Sequence, residues 1–226
     1  MLDLEKSEKL SKHLFSVLKA VRNINRLIIR EKNINVILPE ACDILIEARG
    51  YNSAWLGLLK DEKNFSMVVG SPPKEAVSRF CEQVLQGEIP PCIKKVIIQK
   101  IPFLVVDQSR ECRDCYLKDE LRCKQSVIIC IKRNHKCFGL LGIMLAPDVC
   151  INEEEKGLLE ESTDDLAFCL QNIETEKKQK QAEEKYRKLI KATSEGFWLL
   201  NSKKLTIEVN QSLCDMLGYT LSLIHI

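Results

Sequence analysis

The chain has 226 residues, 45% hydrophobic and 29% charged, the proportions of an ordinary globular protein and not of a disordered or collagen-like one. Its 34 basic and 32 acidic residues leave a net charge of +2, far from the basic excess of a general nucleic-acid binder. The longest apolar run, Phe138 to Pro147, is about half the ~20 residues that span a bilayer, and the opening MLDLEKSEK has no apolar signal core, so a cytoplasmic protein without membrane or nucleic-acid partners is expected.

Residues 7–30 read as one helix. Leu10, Leu14, Val17, Val21, Ile24 and Ile28 alternate spacings of four and three, which suits a coiled-coil seam or an amphipathic helix laid on its own domain. A second helix is expected at 34–49, ended by Arg49-Gly50. The period then changes. Ala54 to Leu59 and Asn64 to Gly70 read as strands joined by a turn at Asp61-Glu62-Lys63. Helices follow at 74–85 and from Pro90-Pro91 to about Gln99, then a strand from Phe103 to Val106. A charged loop spans 109–124, and strands at about 126–131 and 137–146 meet at a turn of Asn134 and His135. Asn152 caps a further helix, with Glu153, Glu154 and Glu155 in a first turn where acids suit the helix dipole. The order predicts an α+β fold, a mostly antiparallel sheet with helices packed against it.

RNINRLIIREKN, EARGYNSAWLGLL, SVIICIKRNHKCFGLLGIMLAPD and LEESTDDLAFCLQNI carry a resemblance to the GAF domain, a small-molecule sensing module. They look most like the GAF subgroup of bacterial sensor histidine kinases and diguanylate cyclases, in which such a domain precedes PAS domains. The resemblance covers residues 20–173, about two-thirds of the chain, with residues 1–19 as an N-terminal helix. It implies a sensor of a small molecule or of a redox or metal state. It also implies a kinase or cyclase output domain, while the heptad seam from Leu10 to Ile28 and the apolar stripe from Leu159 to Ile173 predict a homodimer through the flanking helices.

In 174–188, ETEKKQKQAEEKYRK, ten of 15 residues are charged and none is Gly or Pro. Mixed signs of this kind favour a continuous exposed helix. From Tyr186 on, YRKLIKATSEGFWLLNSKKLTIEVNQSLCDMLGYT resembles the opening of a PAS domain: entry helix, strand, turn, strand, then a helix capped by Asn210. Residues 189–220 would be a truncated PAS domain, too short to close a sheet. The last six residues, LSLIHI at 221–226, break that pattern and read as a foreign tail. Trp55 and Trp198, each near a strand start, read as core aromatics.

Cysteine is over-represented, at 11 residues. Cys42, Cys81, Cys130, Cys137, Cys169 and Cys214 lie in apolar segments, where a thiol behaves as a small buried hydrophobe. The loop SRECRDCYLKDELRCK is different. Its Cys112 and Cys115 have the spacing that lets two thiolates reach one metal, and Cys123 follows eight positions later. With Cys92, on the preceding helix, they form a candidate four-thiolate site for zinc or an iron–sulfur cluster. Arg110, Arg113, Lys118 and Arg122 would instead favour a thiol redox switch by lowering a thiol pKa, and plain structural cysteines are the third reading. The GAF resemblance places Cys92 and the 112–115 pair beside the ligand pocket.

No catalytic residue is expected. The nine glycines form no phosphate-binding loop, and His13, His135 and His225 have no acid or hydroxyl partner at a recognisable spacing. The alternatives to a sensory input region are a GAF-fold thiol reductase acting on free methionine sulfoxide and a dimerisation scaffold. The chain lacks the acid- and serine-rich motif associated with that reductase.

Overall fold

The computed structural model describes residues 2–49, 51–72, 74–107, 125–146 and 151–220. The chain divides into two compact units, Met1–Gln171 and Asn172–Ile226.

In the first unit, helices α1 (Leu2–Arg30) and α2 (Ile34–Arg49) precede strands β1 (Ser53–Leu59) and β2 (Phe65–Ser71). Helices α3 (Glu75–Leu85) and α4 (Pro91–Gln99) lead to β3 (Phe103–Asp107). Strands β4 (Gln125–Arg133) and β5 (Lys136–Met144) follow, then α5 (Glu153–Ala192). The five strands form one antiparallel sheet in the order β2-β1-β5-β4-β3.

The inner strands have to be apolar on both faces, because helices cover both. One set of alternate side chains, including Trp55, Ile128 and Leu140, joins Phe80 of α3 and Ile93 of α4 in a buried cluster. The opposite set, including Leu56, Ile129, Leu141 and Ile143, is buried as completely. On that side α2 packs on β1 and β2 and along α1, and the Cys169 thiol of α5 lies 4.0 Å from the Ile28 carbonyl of α1. The edge strand β2 returns to partial alternation, with Phe65, Val68 and Ser71 buried and Ser66 exposed.

Two contacts fix how the elements seat. The Trp55 ring stands edge-on to Phe80, centroids 5.3 Å apart, and lies across Gly142 of β5. A Cβ at Gly142 would fall 2.0 Å from the indole nitrogen, so only glycine admits the ring there. At the start of α5 the Asn152 side chain accepts the Glu155 N–H at 2.7 Å, the expected N-cap. Glu155 itself is fully buried, and the Tyr51 hydroxyl donates to its carboxylate at 2.5 Å. That bond ties the entry of β1 to the first turn of α5.

The α1 seam serves the chain's own packing. Val17, Val21 and Ile24, with Ala20 and Leu27 beside them, are buried within the first unit. α1 packs along α2, and Ile28 at its end also meets Cys169 of α5. A dimer contact along α1 would fall on the other face, where Phe15, Leu18 and Ile29 are exposed.

In the second unit, β6 (Trp198–Leu200) and β7 (Thr206–Val209) pair antiparallel, and α6 (Gln211–Leu217) follows. Asn210 organises it. Its Oδ1 accepts from the N–H groups of Leu213 and Phe197 at 3.0 and 2.8 Å, and its Nδ2 donates to the carbonyls of Glu195 and Ile190 at 2.8 and 3.2 Å. Four hydrogen bonds use the whole capacity of the amide, as burial of Asn210 demands. Trp198 corrects the sequence reading. It is 52% exposed, with its indole N–H on Thr206 Oγ1 at 3.1 Å, because a two-stranded ribbon cannot wrap a ring of that size.

Residues 174–188 continue α5 as an exposed helix. Among the described residues no helix is long and apolar enough to cross a membrane. The 109–124 loop and the 221–226 tail lie outside the described residues. Tyr51→Phe removes the phenol donor from a buried carboxylate, and is expected to cost about 1–3 kcal/mol. A denaturant midpoint equal to that of the unaltered chain would contradict this.

Candidate functional site

The face of the sheet under α3 and α4 carries the chemistry. Its interior is the apolar cluster around Trp55, and cysteines lie in and beside it. Cys92 is the second residue of α4, whose start is set by Pro90-Pro91, with proline pre-organised for the first helical position. It is half-buried and packs against the cluster. Of the four proposed metal ligands it alone is described; Cys112, Cys115 and Cys123 lie outside the described residues. Among the described residues no three His, Cys, Asp or Glu side chains gather as a metal would require. His135 is exposed at the tip of its turn.

The close pair of sulfurs is elsewhere, on the β4–β5 hairpin. Asn134 and His135 form its turn with φ of 48° and 65°. Two successive positive φ values are the type I′ pattern that suits strand twist, and asparagine tolerates them best among non-glycine residues. The ladder then slips by one residue. Lys132 faces Cys137, but Ile131 faces Gly139, so Phe138 is an extra residue on β5. The pairing beside the turn decides the site. Side chains alternate along a strand, and Leu140 opposite Cys130 shares its face. Cys137 lies opposite Lys132, two residues along β4 from Cys130, so the two cysteines point to the same face. The two sulfurs stand 2.6 Å apart. Cys130 is buried, and its backbone N–H donates to the Pro102 carbonyl at 2.9 Å. Cys137 is half-buried near the exposed turn.

The pair is electrostatically unequal. A hydrogen bond from the Cys130 thiol, helped by the Lys132 ammonium, outweighs partial burial and holds the Cys137 thiol below the ordinary value. Donation to Cys137, then burial, pushes Cys130 upward. Burial also raises the other core thiols: Cys81 to about 11, with Cys42 and Cys169 shifted the same way. Within the pair, Cys137 is therefore the thiol whose environment favours the thiolate, the nucleophilic form. Sequence reasoning placed Cys130 and Cys137 among the buried hydrophobes. The available signal was two cysteines flanking a two-residue turn: regular alternation from that turn makes Cys137 face Lys132 and sets Cys130 diagonally beside it on the same face.

The comparisons fit this geometry. No curated protein sequence matches the chain. Residues 184–225 match the model of the PAS domain. Solved structures match the larger part. A GAF domain of a phosphoenolpyruvate-protein phosphotransferase from Coxiella burnetii superposes with a TM-score of 0.57 at 17% identity, covering 72% of this chain and 97% of that one. The phycoerythrobilin-bound GAF domain of a cyanobacterial phytochrome gives 0.53 at 16%, covering 71% and 97%. The free methionine-R-sulfoxide reductase of Neisseria meningitidis, in complex with its substrate, gives 0.53 at 11%, covering 70% and 90%. The first unit thus has the GAF fold. A PAS-type segment follows it.

Alkylation of Cys137 by iodoacetamide should rise at a pH below that of an ordinary thiol, since a lowered pKa leaves more thiolate at any given pH. Cys130→Ala removes the donor, and the Cys137 profile should then move to higher pH. A profile that stays where it was would show that the thiol–thiol hydrogen bond is not its cause.

Proposed function

We propose that the chain is the sensory and regulatory input region of a cytoplasmic signal-transduction protein. A GAF-fold sensor takes up a small-molecule, redox or metal signal, and a helix carries it towards a PAS-type segment. The output would be a histidine kinase or diguanylate cyclase domain, working as a homodimer. The observation that supports this reading is α5. Its first turns are capped and buried on the GAF-fold unit through Glu155, Leu159, Leu166 and Leu170. The same helix runs on without a break through exposed, charged residues to Ala192, within the segment that matches the PAS model. A spacer would need only length. A helix also carries a phase, about 100° per residue at 3.6 residues per turn, which a length-only spacer does not need.

The test is a chimera in which the chain is joined to a histidine kinase output domain of known autophosphorylation rate. Inserting seven residues between Lys177 and Lys185 nearly restores helical phase, whereas inserting four rotates the downstream part by about 40°. The seven-residue insertion is expected to keep the rate within about twofold, and the four-residue insertion to change it several-fold. Equal rates in all three proteins would overturn a helical signal path.

The Cys130–Cys137 pair, on a fold shared with a methionine sulfoxide reductase, favours one second reading, a thiol reductase. Turnover of free methionine sulfoxide with thioredoxin as reductant decides it. A rate no higher than without the chain is expected, and a rate abolished by Cys137→Ser would establish the enzyme instead.

A further inference from the structure

We propose that Cys130 and Cys137 are an oxidation site, a dithiol that a peroxide converts into a cross-strand disulfide. This stands whether or not the chain is an input region, and it differs from the 92/112/115/123 site expected from the sequence.

Three observations carry it. The sulfurs are 2.6 Å apart, about half an ångström more than the ~2.05 Å of a disulfide bond, so each already lies within bonding reach of the other. The position is built in by the hairpin register, in which Cys137 faces Lys132, two residues from Cys130, so both cysteines share one face. The two partners also differ in access. Cys137 is half-buried beside an exposed turn, while Cys130 is buried at 8% exposure and its strand is hydrogen-bonded on both sides, to β3 and to β5. A small oxidant therefore meets Cys137 first, and Cys130 waits behind it within bonding reach.

The chemistry balances in two steps. The Cys137 thiolate attacks one peroxide oxygen and the O–O bond breaks. Cys137 becomes the sulfenic acid, and the departing hydroxide takes up the proton that Cys137 had released, leaving as water. The Cys130 sulfur then attacks the Cys137 sulfur. The S–O bond breaks, the S–S bond forms, and the second hydroxide leaves as water with the Cys130 proton. Two thiols and one hydrogen peroxide give one disulfide and two waters. The sulfurs lose two electrons and the peroxide oxygens gain them. A dithiol reductant reverses the change by exchange.

The reduced full chain is treated with one equivalent of hydrogen peroxide, alkylated with iodoacetamide and digested with trypsin. Lys132, Arg133 and Lys136 lie between the two cysteines, so cleavage puts them on separate peptides. The expected result is a disulfide-linked pair, assigned by fragmentation to Cys130 and Cys137, that accounts for most of the chain and is lost after dithiothreitol. Cys137→Ser should abolish it. Cys130→Ser should leave Cys137 as a sulfenic acid trapped by dimedone. If Cys130→Ser fails to fold by circular dichroism, the wild-type linkage and Cys137→Ser decide alone. Both thiols alkylated after peroxide, Cys137 linked to another cysteine, or Cys137 carried to the sulfinic acid would each overturn the proposal.

Discussion

A sheet whose inner strands are apolar on both faces cannot meet water on either side. Leu56, Ile129, Leu141 and Ile143 point one way and Trp55, Ile128 and Leu140 the other, and all are buried. Two groups of helices must therefore be present and must be correctly seated. α2 packs on β1 and β2 on one side, and α3 and α4 close the other. The capped start of α5 is locked by Tyr51 and Glu155. A buried carboxylate is costly unless well bonded, so this contact holds one seating against others that would bury similar apolar area. The cysteine pair, the Trp55–Gly142 contact and the packed first half of α5 all belong to that closed sandwich.

Much of the fold was legible because it is written in period and punctuation. Asn152 and Asn210 sit where a helix start needs an acceptor, and both side chains take up that role. Asp61 accepts from the N–H groups of Lys63 and Asn64, which makes the first hairpin turn out of the expected residues. The apolar run Ala54 to Leu59 signalled a strand, and its continuous burial over residues 53–57 explains why it does not alternate. The seam of α1 was legible as an apolar stripe, but not its partner. A stripe says that a face is buried and does not say whether a second chain or the chain's own helices bury it.

The candidate site was less legible, for a different reason. The sequence drew attention to Cys112 and Cys115 because their spacing is a known way to place two thiolates side by side. Cys130 and Cys137 have no such spacing. Their approach depends on how two strands pair across a turn, which no short motif in the chain announces. Trp198 failed for a related reason. Aromatic residues near strand starts are core residues only where a second layer covers them, and the β6–β7 ribbon leaves it exposed. In both cases the local pattern was read correctly and the tertiary surroundings decided the outcome.

The two halves of α5 are held by different forces. Up to Leu170 the helix is fixed by burial, with Leu159, Leu166 and Ala167 at 1% exposure or less. Beyond Glu174 nearly every residue is exposed, and what remains is propensity and ion pairs. Glu174 pairs with Lys178 at 2.8 Å and Glu183 with Arg187 at 2.9 Å. In both the acid precedes the base by four residues, the better orientation against the helix dipole. Such pairs contribute about 0.3–0.5 kcal/mol each, far less than one buried leucine. The exposed half is thus helical with little stability to spare. It costs little to bend or unwind there and much to do so on the sheet. A perturbation of the first unit that reaches α5 will therefore register as a change in the exposed half before it disturbs the packed one.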